Sequence, residues 1–498
     1  MKFVRDNFIY IAFLAVVIYF AIFLHLGTMP LRIWDESYLA THTYQMMKDN
    51  DFIVTHSFTG EPEMSNTKPP FVIWCMVISC KVLGFNELSI RLPNAIAAVV
   101  LCFLLFFILT KITKQALAGF LAVLALISSS GYCCWHVIRS GEYDSMLITF
   151  IFIYCIAFFL LTEIENIRHR TLLWIVFTVG VIIAILTKGI AAMMIIPTLP
   201  IYVCLRHKFL WYLHSKETYI SIFFILLFGL GYYFLREHFN PGYIDAVWAN
   251  ELGGRYMETN DAHREDSYFY VALIANKYFT CWIPFVLIAL ASAVLSSINN
   301  MEKRIVLFCA LATSILVIVL SISATKLYWY CTPALPFLAA MAGIGCNTVI
   351  RLLFGNNLKA LSPIKKLYIG LFIVLITAPA YGKVILDNLN VTEPPWDAGA
   401  LSVAHYINHK LEAKENINGY KIVKEDYTYM SLLCYTKKLS ALGQQVEILL
   451  PSTLHIGDKV ILHYLQDKSA VEKRFTHQVI EQNPTVEIWL LTDSMGVH

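Results

Sequence analysis

The chain has 498 residues, of which 58% are hydrophobic and 15% charged, with a formal net charge of +3. A soluble domain carries about 25% charged residues, so a chain this long and this apolar cannot hide its surface in a core and belongs in a bilayer. The small net charge, with no basic stripe interleaved with aromatics, gives no sign of nucleic acid as a partner.

The first apolar run, 8–26, follows Lys2 and Arg5 and has no small-residue cleavage site behind it, so it reads as an uncleaved first helix. Further apolar runs of spanning length centre on 92–110, 116–130, 146–161, 172–186, 190–205, 218–235, 278–297, 305–322, 328–347 and 367–386. The count is about eleven spans, within a range of eleven to thirteen, because Lys188-Gly189 splits one long run into two. With the N-terminus inside, the short inside loops hold Lys111 and Lys114, then Arg168 and Arg170, then Arg206, Lys208 and Lys216, then Lys303 and Arg304, then Arg351, Lys359, Lys365 and Lys366. Every one is basic, which supports count and orientation together. The outside, periplasmic if the membrane is a bacterial inner membrane, then receives a loop at 28–91, a second at 237–275, and everything beyond about 389. Residues 390–498 are polar, with strand-like runs at 420–423, 459–463 and 486–491 and a helical stretch at 398–411. The expected fold is therefore mainly α: a polytopic helical membrane domain, 1–389, with interfacial helices and a small C-terminal α/β domain, 390–498. Twelve cysteines are scattered, as at Cys102, Cys155 and Cys204, without a CxxC pair or metal-like spacing; they read as small hydrophobes.

Loop 28–91 is long for a membrane-protein connection, and such loops are functional or disordered. Its aromatics and its two helical segments, 36–48 and 71–83, mark it as ordered, lying flat at the membrane surface. Asp35 and Glu36 stand where the first of these helices begins. Acidic residues are favoured there as caps; at a membrane–water interface the same carboxylates are also candidates for catalysis. Four polar groups share that face: Asp35, Glu36 and Lys68; Arg139, Glu142 and Asp144; Lys188; and Lys326 with Tyr328 and Tyr330. One interfacial Lys is a snorkelling anchor. Several converging beside carboxylates suit the head group of an anionic lipid.

A polyprenyl-phosphate sugar fits that description. Its leaving group departs as a stable phosphate anion, so no protonating acid is needed, unlike glycoside hydrolysis with its two carboxyl groups. One carboxylate base for the acceptor hydroxyl, with cations on the departing phosphate, is sufficient. Asp35 or Glu36 serves as base; Lys68, Arg139, Lys188 and Lys326 are the cations.

Trp34-Asp35-Glu36-Ser37, Gly60-Glu61-Pro62, Asn66-Thr67-Lys68-Pro69-Pro70 and the run 85–93 (FNELSIRLP), in this order, resemble bacterial glycosyltransferase family 39, which groups with protein O-mannosyltransferases and lipid A aminoarabinose transferases in the membrane-embedded C-type fold. Arg139…Asp144, Leu186-Thr187-Lys188-Gly189 and the segment 325–333 (TKLYWYCTP) with Pro336 continue the likeness over about 1–350. The resemblance implies transfer of a sugar, with inversion, from a polyprenyl-phosphate donor to lipid A, another glycan or a protein hydroxyl at the outer face. It implies Asp35 as base, Lys68 and Asp144 in the donor cavity, and Lys188 and Tyr330 on the lipid phosphate. Glu251, Arg255 and His263 in the second outside loop are acceptor-pocket candidates. His263 also matches the histidine partner of a divalent metal in aminoarabinose transferases, but Thr67 stands where those enzymes carry an acidic metal ligand. A transporter or flippase of lipid-linked sugars is the alternative, and would place its charges near the midplane between repeated halves. Here they sit at one face, and no repeat is visible.

Overall fold

The computed structural model describes residues 2–164, 170–257, 265–295, 297–357, 360–391, 398–423, 429–463 and 465–495. Among them seven helices are long and apolar enough to cross a membrane, and an eighth if a pair bent by 112° counts as one span. The chain is a multi-pass membrane protein of mainly helical architecture with a small C-terminal sheet, as its composition requires. The helix count is lower than the hydropathy count, for local reasons. The runs starting at 8 and 116 become helices of only 15 and 12 residues, Phe8–Ile22 and Ala116–Ile127. Residues 190–205 break into a turn, Gly189–Met193, and the short helix Thr198–Leu205. The run beginning at 278 is interrupted before Ile283–Val294, whose first turn carries a proline.

Two compact units result. One comprises Met1–Leu24, Glu63–Val72 and Asn94–Asn390; the other comprises His25–Pro62, Ile73–Pro93 and Val391–His498.

In the first unit, Asp144–Glu163 is the interior span, with 83% of its apolar stretch buried, whereas Lys216–Phe239 and Pro363–Leu389 each bury 17% of theirs. The latter two expose Phe223, Phe228, Leu371 and Leu375, the apolar surface a lipid-facing helix needs. Helix–helix contact in a bilayer relies on close approach at small residues. A side chain at Gly343 would meet the Ala118 carbonyl at 2.5 Å, and one at Gly345 would collide with the Phe285 backbone, so Leu335–Phe354 packs directly on Ala116–Ile127 and Ile283–Val294. The two ends of Asp144–Glu163 lie about 30 Å apart. At one end Glu163 gathers Tyr202 (2.7 Å), Arg206 (2.6 Å) and Arg304 (2.7 Å), all in segments read from sequence as inside loops or their borders. At the other end sits Asp144.

In the second unit, β1 (Lys421–Val423), β2 (Glu447–Leu449), β3 (Lys459–Leu462), β4 (Phe475–Gln482) and β5 (Glu487–Ser494) form one sheet in the order β2-β1-β3-β5-β4. β1 runs parallel to β2 and β3; β5 runs antiparallel to β3 and β4. Strand alternation supplies two apolar faces. Ile422, Ile461 and Ile488 pack on helices Ala398–Glu412 and Tyr429–Ala441, while Val460, Leu462, Trp489 and Leu491 pack with Val471 and Phe475 on the opposite face. Ile33, from the first long loop, joins the first of these cores. Helices Asp35–Asp49 and Phe71–Leu83 stand where the loop's periodicity predicts them.

Candidate active site

A cavity opens in the membrane unit. Its lining is apolar at Leu147, Ile190, Met194, Leu316, Leu320 and Pro333 and polar at Asp144, Lys188, Glu251, Ser323 and Tyr330. Each polar residue arrives for a local reason. Asp144 opens its helix, where the N-terminal dipole favours an acid. Lys188 closes Arg170–Lys188, and Gly189 turns the chain with φ +55°, leaving no room for a side chain beside the Tyr233 hydroxyl. The Lys188 ammonium bonds both Asp144 oxygens, at 2.7 and 2.8 Å, and lies 5.7 Å from the centre of the Tyr330 ring. Lys68 lies 3.5 Å from the Glu251 carboxylate and 5.4 Å from the Tyr143 ring.

The segment bearing Lys68 is tied down from several sides. Fully buried Arg236 donates to the Glu63 carbonyl (2.6 Å), the Tyr243 hydroxyl to the Thr67 carbonyl (2.6 Å), and the Asn250 amide to the Met64 carbonyl (3.0 Å). Lys326, also buried, donates to the carbonyl of cavity-lining Ser323 at 2.8 Å. Arg139 is placed elsewhere: its guanidinium bonds the Ile22 and Leu24 carbonyls at 3.0 and 2.7 Å. It satisfies the open C-terminal carbonyls of Phe8–Ile22, and it is not among the residues lining the cavity. The side chain of Arg255 and the whole of His263 lie outside the described residues.

In the second unit Asp35 and Glu36 differ sharply. Glu36 is 1% exposed and forms a bidentate pair with Arg91 (2.7 and 2.8 Å) while accepting the Arg32 amide at 2.9 Å. The same guanidinium bonds the carbonyls of Leu26, Met29 and Pro30, so it ties the segment before Asp35 to Glu36 just after it. Trp34, before Asp35, holds φ +76°, a conformation that costs a bulky residue about 1–3 kcal/mol and persists only where surroundings enforce it. Asp35 itself is exposed, and its carboxylate makes no hydrogen bond or ion pair among the described residues.

The described residues do not fit a divalent metal. Position 67 is a threonine, the two cavity carboxylates each face a lysine, and no group of three or more His, Cys, Asp or Glu among the described residues is arranged to hold an ion.

A model of the family described as dolichyl-phosphate-mannose-protein mannosyltransferase matches residues 67–232. The crystal structure of ArnT from Cupriavidus metallidurans bound to undecaprenyl phosphate superposes with a TM-score of 0.67 at 14% identity, covering 98% of both chains. The fold is that of the membrane-embedded C-type glycosyltransferases. The archaeal oligosaccharyltransferase AglB from Archaeoglobus fulgidus, in complex with an inhibitory peptide and a dolichol-phosphate, superposes with a TM-score of 0.51 at 10% identity, over 97% of this chain and 74% of that one. An Aquifex aeolicus (strain VF5) protein described as uncharacterized is 23% identical over 359 residues, 71% of this chain; the match spans 66% of that relative's own length. The family and the solved neighbours are glycosyltransferases, in agreement with the motifs. Since ArnT is covered almost end to end, the C-terminal α/β segment, for which no motif was found, is part of the shared architecture.

The motifs missed Arg91, Arg236 and Tyr243 as supports. Arg91 lies within the quoted run 85–93, but a charge with five backbone and carboxylate partners has no local pattern to betray it.

Proposed function

We propose that this protein is an inverting glycosyltransferase that moves a sugar from a polyprenyl-phosphate donor to a hydroxyl of a lipid, glycan or protein acceptor. The observation that carries the reading is a cavity lined by apolar side chains together with Lys188 and Tyr330: an isoprenoid chain suits the apolar lining, and its phosphate suits the Lys188 ammonium and the Tyr330 hydroxyl. The ArnT bound to undecaprenyl phosphate and the AglB in complex with a dolichol-phosphate support the same donor class.

In the proposed step Asp35 removes the acceptor hydroxyl proton while that oxygen attacks the anomeric carbon. The bond from that carbon to the phosphate oxygen breaks, its electron pair leaves with polyprenyl phosphate, and attack from the opposite face inverts the centre. Lys188, Tyr330 and Lys326 bind the phosphate, with Lys68 and Asp144 completing the donor site. Glu36, committed to Arg91, positions the base rather than acting as one. Arg139 fixes the end of the first helix. Glu251, which lines the cavity and pairs with Lys68, is assigned to the donor site; Arg255 and His263 of the same loop are assigned to the acceptor side. Localisation follows the basic short loops: the Asp144 end of the bundle and the C-terminal domain are assigned to the periplasmic side of a bacterial inner membrane.

The test uses purified protein in lipid nanodiscs with a polyprenyl-phosphate sugar, following released polyprenyl phosphate in the presence of candidate acceptors. Wild type releases it and a Lys188→Met variant does not. Equal release by both, or a donor-bound structure with the phosphate remote from Lys188 and Tyr330, overturns the assignment.

A further inference from the structure

The C-terminal helix Tyr429–Ala441 grips the segment that presents Asp35. The Tyr435 hydroxyl accepts the Leu31 amide at 2.8 Å and donates to the Glu87 carboxylate at 2.9 Å. Ser431 donates to the Leu31 carbonyl at 3.2 Å, so both backbone groups of one residue are held by one helix. Cys434 lies against the first turn of Asp35–Asp49, 3.6 Å from the Ser37 carbonyl and 3.7 Å from the Thr41 hydroxyl. Glu87 also binds Asn408 (2.7 Å) and Lys438 (3.0 Å), and Ile33 is buried among Ala400, Leu432 and Tyr435.

The polar groups among these are bonded to one another or to the Leu31 backbone. Tyr435, Ser431 and Cys434 act on residues 31–41, which bracket the positive-φ Trp34 and the exposed Asp35, while Glu87, with Asn408 and Lys438, anchors Tyr435. A strained residue relaxes unless something holds it, and a reacting group displaced by about 1 Å can cost about 10²-fold in rate.

We infer that the C-terminal domain is a clamp for the catalytic loop, with Tyr435 its principal positioning residue, holding Asp35 at its working geometry through Leu31. The inference rests on the reading of Asp35 as base. Burial and the neighbouring Glu87 charge keep the Tyr435 phenol protonated, as its donor role to Glu87 requires.

The test is a double-mutant cycle in the full-length protein, with Tyr435→Phe, Asp35→Asn and the pair, read by turnover of a polyprenyl-phosphate sugar. Tyr435→Phe removes one oxygen and keeps the ring in its core. The expected result is a kcat lowered about tenfold, a donor KM within about twofold of wild type, and no further loss when Tyr435→Phe is added to Asp35→Asn. An equal tenfold loss in both backgrounds, a loss confined to KM, or no loss at all overturns the clamp while leaving the base assignment standing. An Asp35→Asn variant as active as wild type overturns the base assignment, and the clamp with it. If Tyr435→Phe does not fold, Ser431→Ala is subjected to the same cycle and judged by the same outcomes.

Discussion

Asp35 and Glu36 are neighbours in the chain with opposite circumstances. Glu36 is buried and saturated by Arg91, whereas Asp35 stands exposed at a helix start. That contrast assigns them different work, and substitution should separate them. Asp35→Asn is expected to lower kcat by about 10²–10⁴-fold with the thermal unfolding midpoint unchanged. Glu36→Gln is expected to lower that midpoint, because a buried guanidinium loses its counter-charge at a cost of about 3–5 kcal/mol. Differential scanning fluorimetry beside the turnover assay distinguishes them. Lys188 and Asp144 form a second buried pair. Lys188→Met alone should be destabilising, and adding Asp144→Leu should restore much of the unfolding midpoint without restoring turnover. Recovery of activity in the double variant would show that the ammonium is structural. The sequence singled out both acidic residues and the Lys188 turn by position alone. Which carboxylate was committed to an ion pair depended on Arg91, 55 residues further along the chain.

At the scale of elements, contact is controlled by small residues and by the seating of one helix on another. Gly345 lets Leu335–Phe354 lie on the backbone of Ile283–Val294. Gly345→Leu is expected to lose about 1–3 kcal/mol of stability through overpacking, read as a lower unfolding midpoint in nanodiscs. Helix Tyr429–Ala441 is sealed differently. Burial pushes the Cys434 thiol up to about 12, so at pH 8 roughly one molecule in 10⁴ carries the reactive thiolate. Cys434 should therefore resist maleimide in the folded protein and react once denaturant is added, as mapped by peptide mass spectrometry. Fast labelling of the native protein would mean that this helix does not stay seated on Asp35–Asp49. The helix stop at Gly189 was legible because a single residue imposes it; the break before Ile283–Val294 was not, and the run from 278 read as one span. Seatings were not legible either, because the carbonyl facing a glycine belongs to another element.

For the whole molecule, the membrane class, the helical architecture and the C-terminal sheet follow from hydropathy and strand alternation, which are properties of consecutive residues. Orientation belongs here too. An alkaline phosphatase fused after His498 is expected to be active in a bacterial host, and one fused within the 206–216 loop inactive; the reverse would invert the proposed sidedness. The grouping of loop segments 25–62 and 73–93 with the C-terminal segment in one compact unit could not be read from the chain, where they are more than 290 residues apart. By itself the sequence determined the solvent, the mainly helical class and a short roster of charged residues, since apolar runs and local periodicity carry those directly, but not where the long apolar runs break. Tertiary structure alone decided which charges are spent on one another, Glu36 on Arg91 and Arg139 on the end of a helix, and which line a cavity. Burial makes an ion costly until it is paired, and the partner that satisfies it can come from anywhere in the chain.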